Sequence, residues 1–174
     1  HVALSGQAVA NYMLDLDVTL PKTNVYIDDA EARDSVLAVA ESIFTRIMQD
    51  RGANKSDILS ALTIAGELFT RDTTRSERSL VLLSDMLQDS DALNLSRERI
   101  DSLFTSEFVR RERAAGSIPD LSSVRVRVVG AGARDHAIDS YVALKNFWLT
   151  YFREAGAVMQ SSDYGRTAVV ALGR

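Results

Sequence analysis

The chain has 174 residues and no cysteine. That excludes disulfides, thiolate metal sites and cysteine nucleophiles, and it suits either redox compartment, so composition selects none. Histidine is nearly as scarce, with only His1 and His136. No apolar run approaches the roughly 20 residues that a helix needs to span a bilayer, so no transmembrane segment is expected. Nor is there a long basic run. With 24 acidic against 20 basic side chains, neither nucleic acid nor an anionic membrane surface is favoured as a partner. Internal repeats, low-complexity tracts and linker-like stretches are also lacking. A chain that opens on His1, without methionine or a signal-like stretch, reads as a segment with more protein or a removed leader before it.

What is present is an ordinary core composition, 46% apolar and 25% charged, at a length that fits one compact domain over residues 1–174. The organising stretch is Ser79 to Asp91. Leu80-Val81-Leu82-Leu83 is too short and too uniformly apolar for an amphipathic helix, so it reads as a strand buried on both faces, Val81 and Leu83 included. Such a strand delivers Ser84 and Asp85 to the carboxyl edge of a sheet, where open α/β sheets bind ligands.

Around it, helical and strand patterns alternate. Val9, Tyr12, Met13 and Leu16 follow helical spacing, Leu20-Pro21 breaks the pattern, and Asn24 to Ile27 is a short strand. Val36, Val39, Ala40, Ile43, Phe44 and Ile47 mark the inner face of a long helix, with Asp34 and Glu41 on its other faces. Ser56 and Asp57 supply an N-cap and a first-turn acid for a helix whose inner face is Leu59, Leu62, Ala65, Gly66 and Phe69. Ile100, Phe104, Phe108 and Val109 define another helix, ending in the basic run around Arg111. Val124 to Val129 is the second clear strand, followed by Gly130-Ala131-Gly132. Ile138 to Ala155 is an aromatic-rich helix, expected to pack on the sheet with the polar tips of Trp148 and Tyr151 near the surface. Ala157 to Met159 and Thr167 to Leu172 are terminal strand candidates. The alternation predicts an α/β fold: a doubly wound, mainly parallel, Rossmann-like sheet with helices on both faces.

Three pieces, in order, resemble the von Willebrand factor A family. Val25-Tyr26-Ile27-Asp28-Asp29-Ala30-Glu31-Ala32 is similar to its opening strand and Asp-x-Ser-x-Ser loop. Ser56-Asp57-Ile58-Leu59-Ser60-Ala61-Leu62 is similar to its hydroxyl residue followed by a helix. Leu80-Val81-Leu82-Leu83-Ser84-Asp85 is similar to its strand ending in Thr-Asp. The resemblance covers about two thirds of the chain. It implies a doubly wound domain whose carboxyl edge often holds a divalent cation, with Asp28, Ser56 and Asp85 as the metal residues. Hydroxyl and carboxylate oxygens suit Mg²⁺. Ala30 and Ala32, however, stand where the family's two loop serines belong, and a methyl group cannot ligate a cation. Mg²⁺ binding is therefore expected to be weak or absent. The stretch before Ser56 is also too short for the two strands usual there, so a smaller sheet is expected.

Other patterns compete with this reading. Leu14-Asp15-Leu16-Asp17-Val18 imitates the nucleophile motif of haloacid-dehalogenase-like phosphohydrolases, in which one Asp attacks phosphorus and the other handles the proton. Here the two aspartates close a helix-like segment, so a solvated helix end is the expected role of Asp15 and Asp17. Gly130-Ala131-Gly132 resembles the start of a dinucleotide loop, but position 135 is Asp where the third glycine belongs, which favours a plain turn. His136 beside Asp135 is suited to titrate near neutrality, yet no motif places a nucleophile with it. For Asp28, Ser56 and Asp85 the ordinary alternative is helix capping and loop hydrogen bonding. The sequence therefore predicts a non-enzymatic protein-interaction or assembly module with a degenerate metal site, whose contact surface lies around Asp28, Ser56, Asp85 and Gly130. The phosphohydrolase is the alternative.

Overall fold

A computed structural model describes residues 34, 38, 41 and 42, 56–71, 77–132 and 138–165. The chain divides into two compact units, His1–Lys55 and Ser56–Arg174. In the first, Asp34, Ala38, Glu41 and Ser42 are helical and exposed, the spacing of one outward helix face. The expected strand at Asn24 to Ile27, the aspartates 15, 17 and 28, Ala30 and Ala32 lie outside the described residues, as do His136 and Thr167 to Leu172.

The second unit is α/β. Its elements are α1 (Ile58–Arg71), β1 (Arg78–Leu83), α2 (Ser102–Ala114), β2 (Val124–Val129), α3 (Ile138–Glu154), a 3₁₀ turn (Ser161–Asp163) and β3 (Tyr164–Gly165). β1, β2 and β3 form a parallel sheet in that order. Arg78 to Leu83 pair in step with Val124 to Val129, and Val128 and Val129 pair with Tyr164 and Gly165. Arg125 also bridges in parallel to Val158, which places part of the expected Ala157–Met159 strand beside β2. Among the described residues no helix is long and apolar enough to cross a membrane.

Strand order decides where the helices go. Right-handed crossovers that step steadily in one direction across a parallel sheet put their helices on the same face. Both crossovers here step that way, and α2 and α3 share one core with Val124, Val126 and Val128. Leu80 and Leu82 pack against the same core. On β1 the residues between them turn away, and Val81 and Leu83 are 54% and 57% exposed. This corrects the expectation that both were buried. Four consecutive apolar residues look alike in sequence, but a pleated strand sends alternate side chains to opposite faces, and among the described residues only one face is covered.

The core centres on α3. Phe147, Trp148, Tyr151 and Phe152 are buried beside Leu144, in a cluster of tilted and edge-on rings that includes Phe108. Such pairs stabilise by roughly 0.5–1.5 kcal/mol beyond area burial. The polar tips of Trp148 and Tyr151 are not near the surface. Trp148 is fully enclosed because its Nε1–H finds a partner inside, the Met86 carbonyl at 2.8 Å. Desolvation, with a smaller contribution from Glu112, raises the Tyr151 pKa. The basic end of α2 closes against α3 through an ion pair between Arg113 and Glu154.

Candidate binding site at the carboxyl edge of the sheet

The strands end together, so their exits are neighbours. Ser84 continues the ladder, its amide donating to the Val129 carbonyl at 3.0 Å. The chain then turns on its own side chains. Ser84 Oγ accepts from the Met86 amide at 2.9 Å and Asp85 Oδ1 from the Leu87 amide at 3.1 Å, the short-range bonding that makes Ser and Asp turn formers. Met86 takes a left-handed backbone, φ 63°, at a cost of order 1–3 kcal/mol for a residue with a side chain. Full burial of that side chain and the Trp148 bond to its carbonyl offset the strain.

The exit of β2 is tied to this turn. Gly132 donates to the Asp85 carbonyl at 3.2 Å and Ala131 to that of Gly165 at 3.1 Å. Gly130 and Gly132 have φ of 93° and 65°. A Cβ on Gly130 would lie 3.3 Å from the Ser84 carbonyl oxygen, and one on Gly132 would lie 2.6 Å from the Tyr141 ring. The glycines thus let β2 leave the sheet against β1 and α3. That accounts for them as a turn.

The start of α1 joins the same edge through a residue that sequence reasoning passed over. Gln88 is fully buried. Its Oε1 accepts from the amides of Ile58 at 2.7 Å and Leu59 at 3.1 Å, two of the four donors that a helix N-terminus leaves unpaired. Its Nε2 donates to Asp57 Oδ1 at 3.1 Å and to Ser90 Oγ at 3.0 Å. Asp57 completes the cap, accepting from the Ser60 amide at 3.2 Å and the Ser60 hydroxyl at 2.6 Å. The helix therefore begins one residue later than expected, with Asp57 and not Ser56 in the capping position. Ser56 stands just before it, its carbonyl accepting from the Asp89 amide at 2.8 Å. No sequence periodicity marks Gln88. Its role exists only because two segments 30 positions apart in sequence meet.

Tyr164 lies behind this edge. It is 2% exposed, and among the described residues its hydroxyl has no hydrogen-bond partner. Burial raises its pKa first, followed by the fields of Tyr141 and Asp85. The Tyr141 ring lies 6.1 Å away, centroid to centroid. A cleft of about 560 Å³ lies elsewhere, between Leu93, Glu98 and the Phe104, Glu107 and Arg111 side of α2. The candidate site is built from strand ends and capped loops.

Of the three residues that the resemblance names, Ser56 and Asp85 belong to segments joined by the Gln88 and Asp89 bonds, and Asp28 lies outside the described residues. Mg²⁺ prefers near-octahedral oxygen coordination and keeps several waters. One hydroxyl and one carboxylate, with Oδ1 of the carboxylate already accepting from Leu87, make a thin protein shell. Both oxygens of Asp57 are committed to the cap. Among the described residues no three His, Cys, Asp or Glu side chains gather in a way that would hold a metal ion. The described donors alone do not fit a closed cation site. Comparison with protein-family models, with curated proteins and with solved structures found no match.

Proposed function

We propose that the chain is a non-enzymatic protein-interaction or assembly module of von Willebrand A type, contacting a protein partner through the carboxyl edge around Ser56, Asp85 and Gly130. The observation that supports this most directly is the cross-bonding of the α1 start to the loop leaving β1. It ties the segment that carries Ser56 to the loop that follows Asp85, beside the end of a parallel strand, and the two residues come in the order the resemblance gives them. Edges of this kind are where open α/β sheets take their ligands. In the full reading the sheet is doubly wound and Asp28 is the third site residue. With alanine at positions 30 and 32, the cation shell is deficient and the site is degenerate.

The test is isothermal titration with Mg²⁺. The native chain is expected to bind weakly or not at all, because Ala30 and Ala32 offer no oxygen. The double change Ala30→Ser and Ala32→Ser is expected to create or raise affinity, and adding Asp85→Ala to it to remove the gain. Tight binding by the native chain would refute the degenerate site. Binding by the double variant that survives Asp85→Ala would take Asp85 out of the site.

A further inference from the structure

We propose that the open face of the sheet is a second interaction surface, one that receives an amphipathic helix of a partner protein carrying carboxylates beside its apolar stripe. The register sets what this face presents. Ser79, Val81 and Leu83 of β1 lie beside Arg125, Arg127 and Val129 of β2, and the bridge to Arg125 puts Val158 on the far side. Val81, Leu83 and Val158 are all at least half exposed. Sheets built from parallel strands are covered on both faces, because their apolar residues are otherwise left in water. The core face satisfies that rule; among the described residues this one has no cover.

The chemistry of the occupant follows from the middle strand. Arg125 is exposed, and among the described residues no carboxylate lies in ion-pair range of it. Among the described residues Arg127 meets Asp163 alone, at a long 3.8 Å, and stays 43% exposed. Two guanidinium groups thus lie between apolar rows, Val81 and Leu83 on one side and Val158 on the other. A helix whose apolar stripe covers the valines and leucine, with Glu or Asp flanking it, complements both features, and charge complementarity selects such a partner over others. A second copy of this face does not, since two-fold packing sets the same patch against itself and brings arginines towards arginines. This surface is distinct from the carboxyl edge and does not depend on it.

The test uses the full chain and two labelled synthetic helical peptides with an identical leucine stripe, one flanked by Glu and one by Lys, read by fluorescence anisotropy. The Glu peptide is expected to bind about tenfold or more tighter, a difference of roughly 1.4 kcal/mol, and to weaken with salt. Arg125→Glu should reverse the order of the peptides, and Leu83→Glu should weaken both about tenfold, with far-UV circular dichroism unchanged in each variant. Equal binding of the two peptides, or binding indifferent to Leu83→Glu, overturns the proposal. So does self-association that Leu83→Glu abolishes, which makes a second copy the occupant. A marked fall in the unfolding midpoint on Val81→Ser with Leu83→Ser also overturns it, because it places the face inside the chain's own core.

Discussion

Gln88 offers the sharpest test of how the carboxyl edge is held. In Gln88→Ala the amides of Ile58 and Leu59 lose their acceptor, while the other partners stay bonded: Asp57 retains the Ser60 amide and hydroxyl, and Ser90 Oγ retains the Leu93 amide at 3.3 Å. Two orphaned donors, one buried and one partly buried, cost about 1–3 kcal/mol each when nothing replaces the acceptor. Water entering the space of the lost side chain recovers part of that. A net loss of about 2–4 kcal/mol is therefore expected, more than the typical ~1 kcal/mol of a surface cap. Gln88→Glu separates the two ends of the amide. Its carboxylate can still accept from both amides, but the oxygen replacing Nε2 faces Asp57 Oδ1, which stood 3.1 Å from that nitrogen. Like charge and burial raise the pKa of the introduced group. Its penalty is thus full at neutral pH and relieved as pH falls through that raised value. Urea unfolding followed by circular dichroism gives both quantities, and the single tryptophan, Trp148, bonded to the Met86 carbonyl two residues from Gln88, supplies a local fluorescence signal. A loss below about 0.5 kcal/mol for Gln88→Ala, or a Gln88→Glu protein as stable as the native one at neutral pH, would refute the assignment.

Two further outcomes are expected. Leu62→Ala and Phe147→Ala remove fully buried side chains and should each cost about 2–5 kcal/mol in chemical denaturation; values under about 0.5 kcal/mol at both would mean the helix faces are wrongly assigned. In alkali, the unfolded chain releases the Tyr151 and Tyr164 protons near the ordinary phenol value while the folded chain, with both pKa values raised, keeps them. The unfolded state then binds fewer protons, so stability falls as pH rises above about 10, by up to ~2.7 kcal/mol per pH unit for two groups. Tyr164→Phe should halve that slope and, because its hydroxyl has no partner among the described residues, leave neutral-pH stability unchanged or raised; a loss above about 1 kcal/mol would show that the hydroxyl has a partner.

Much of the second unit was legible because its signals are local. Phe108 and Val109 on α2, Leu62, Ala65 and Gly66 on α1, and Phe147, Trp148, Tyr151 and Phe152 on α3 repeat at helical spacing, and each is buried. The alternation in Val124-Arg125-Val126-Arg127-Val128 declares a two-faced strand, and the structure buries the valines. β1 carries no such alternation. Whether Val81 faces a helix or solvent depends on how many elements cross which face, and strand order, not composition, decides that. Trp148 was misjudged for a related reason. An indole N–H in a core is costly unless it meets an acceptor, and the acceptor is a backbone carbonyl from a turn 62 positions earlier, which no window of sequence contains.

The site shows the same division more sharply. Asp85 was singled out because an apolar strand ending in a polar pair is a local pattern with an expected destination. Ser56 was singled out because a hydroxyl residue ahead of an apolar periodic run announces a helix start, and that start falls one residue later, at Asp57. What joins them is Gln88, and nothing in Met86-Leu87-Gln88-Asp89 distinguishes an amide that caps a distant helix from one that faces water. The turn that places Gln88 is itself strained at Met86, whose left-handed backbone would suit glycine better. Glycine there would ease φ but remove the side chain that fills the core beneath the edge. The strain is therefore tied to the site's construction: the residue that turns the chain toward α1 is also the one that anchors the turn, through its side chain and through its carbonyl to Trp148. A carboxyl edge held from below in this way fixes the loop after Asp85 and the start of α1 in one arrangement through the protein's own contacts, as the proposed binding surface would require.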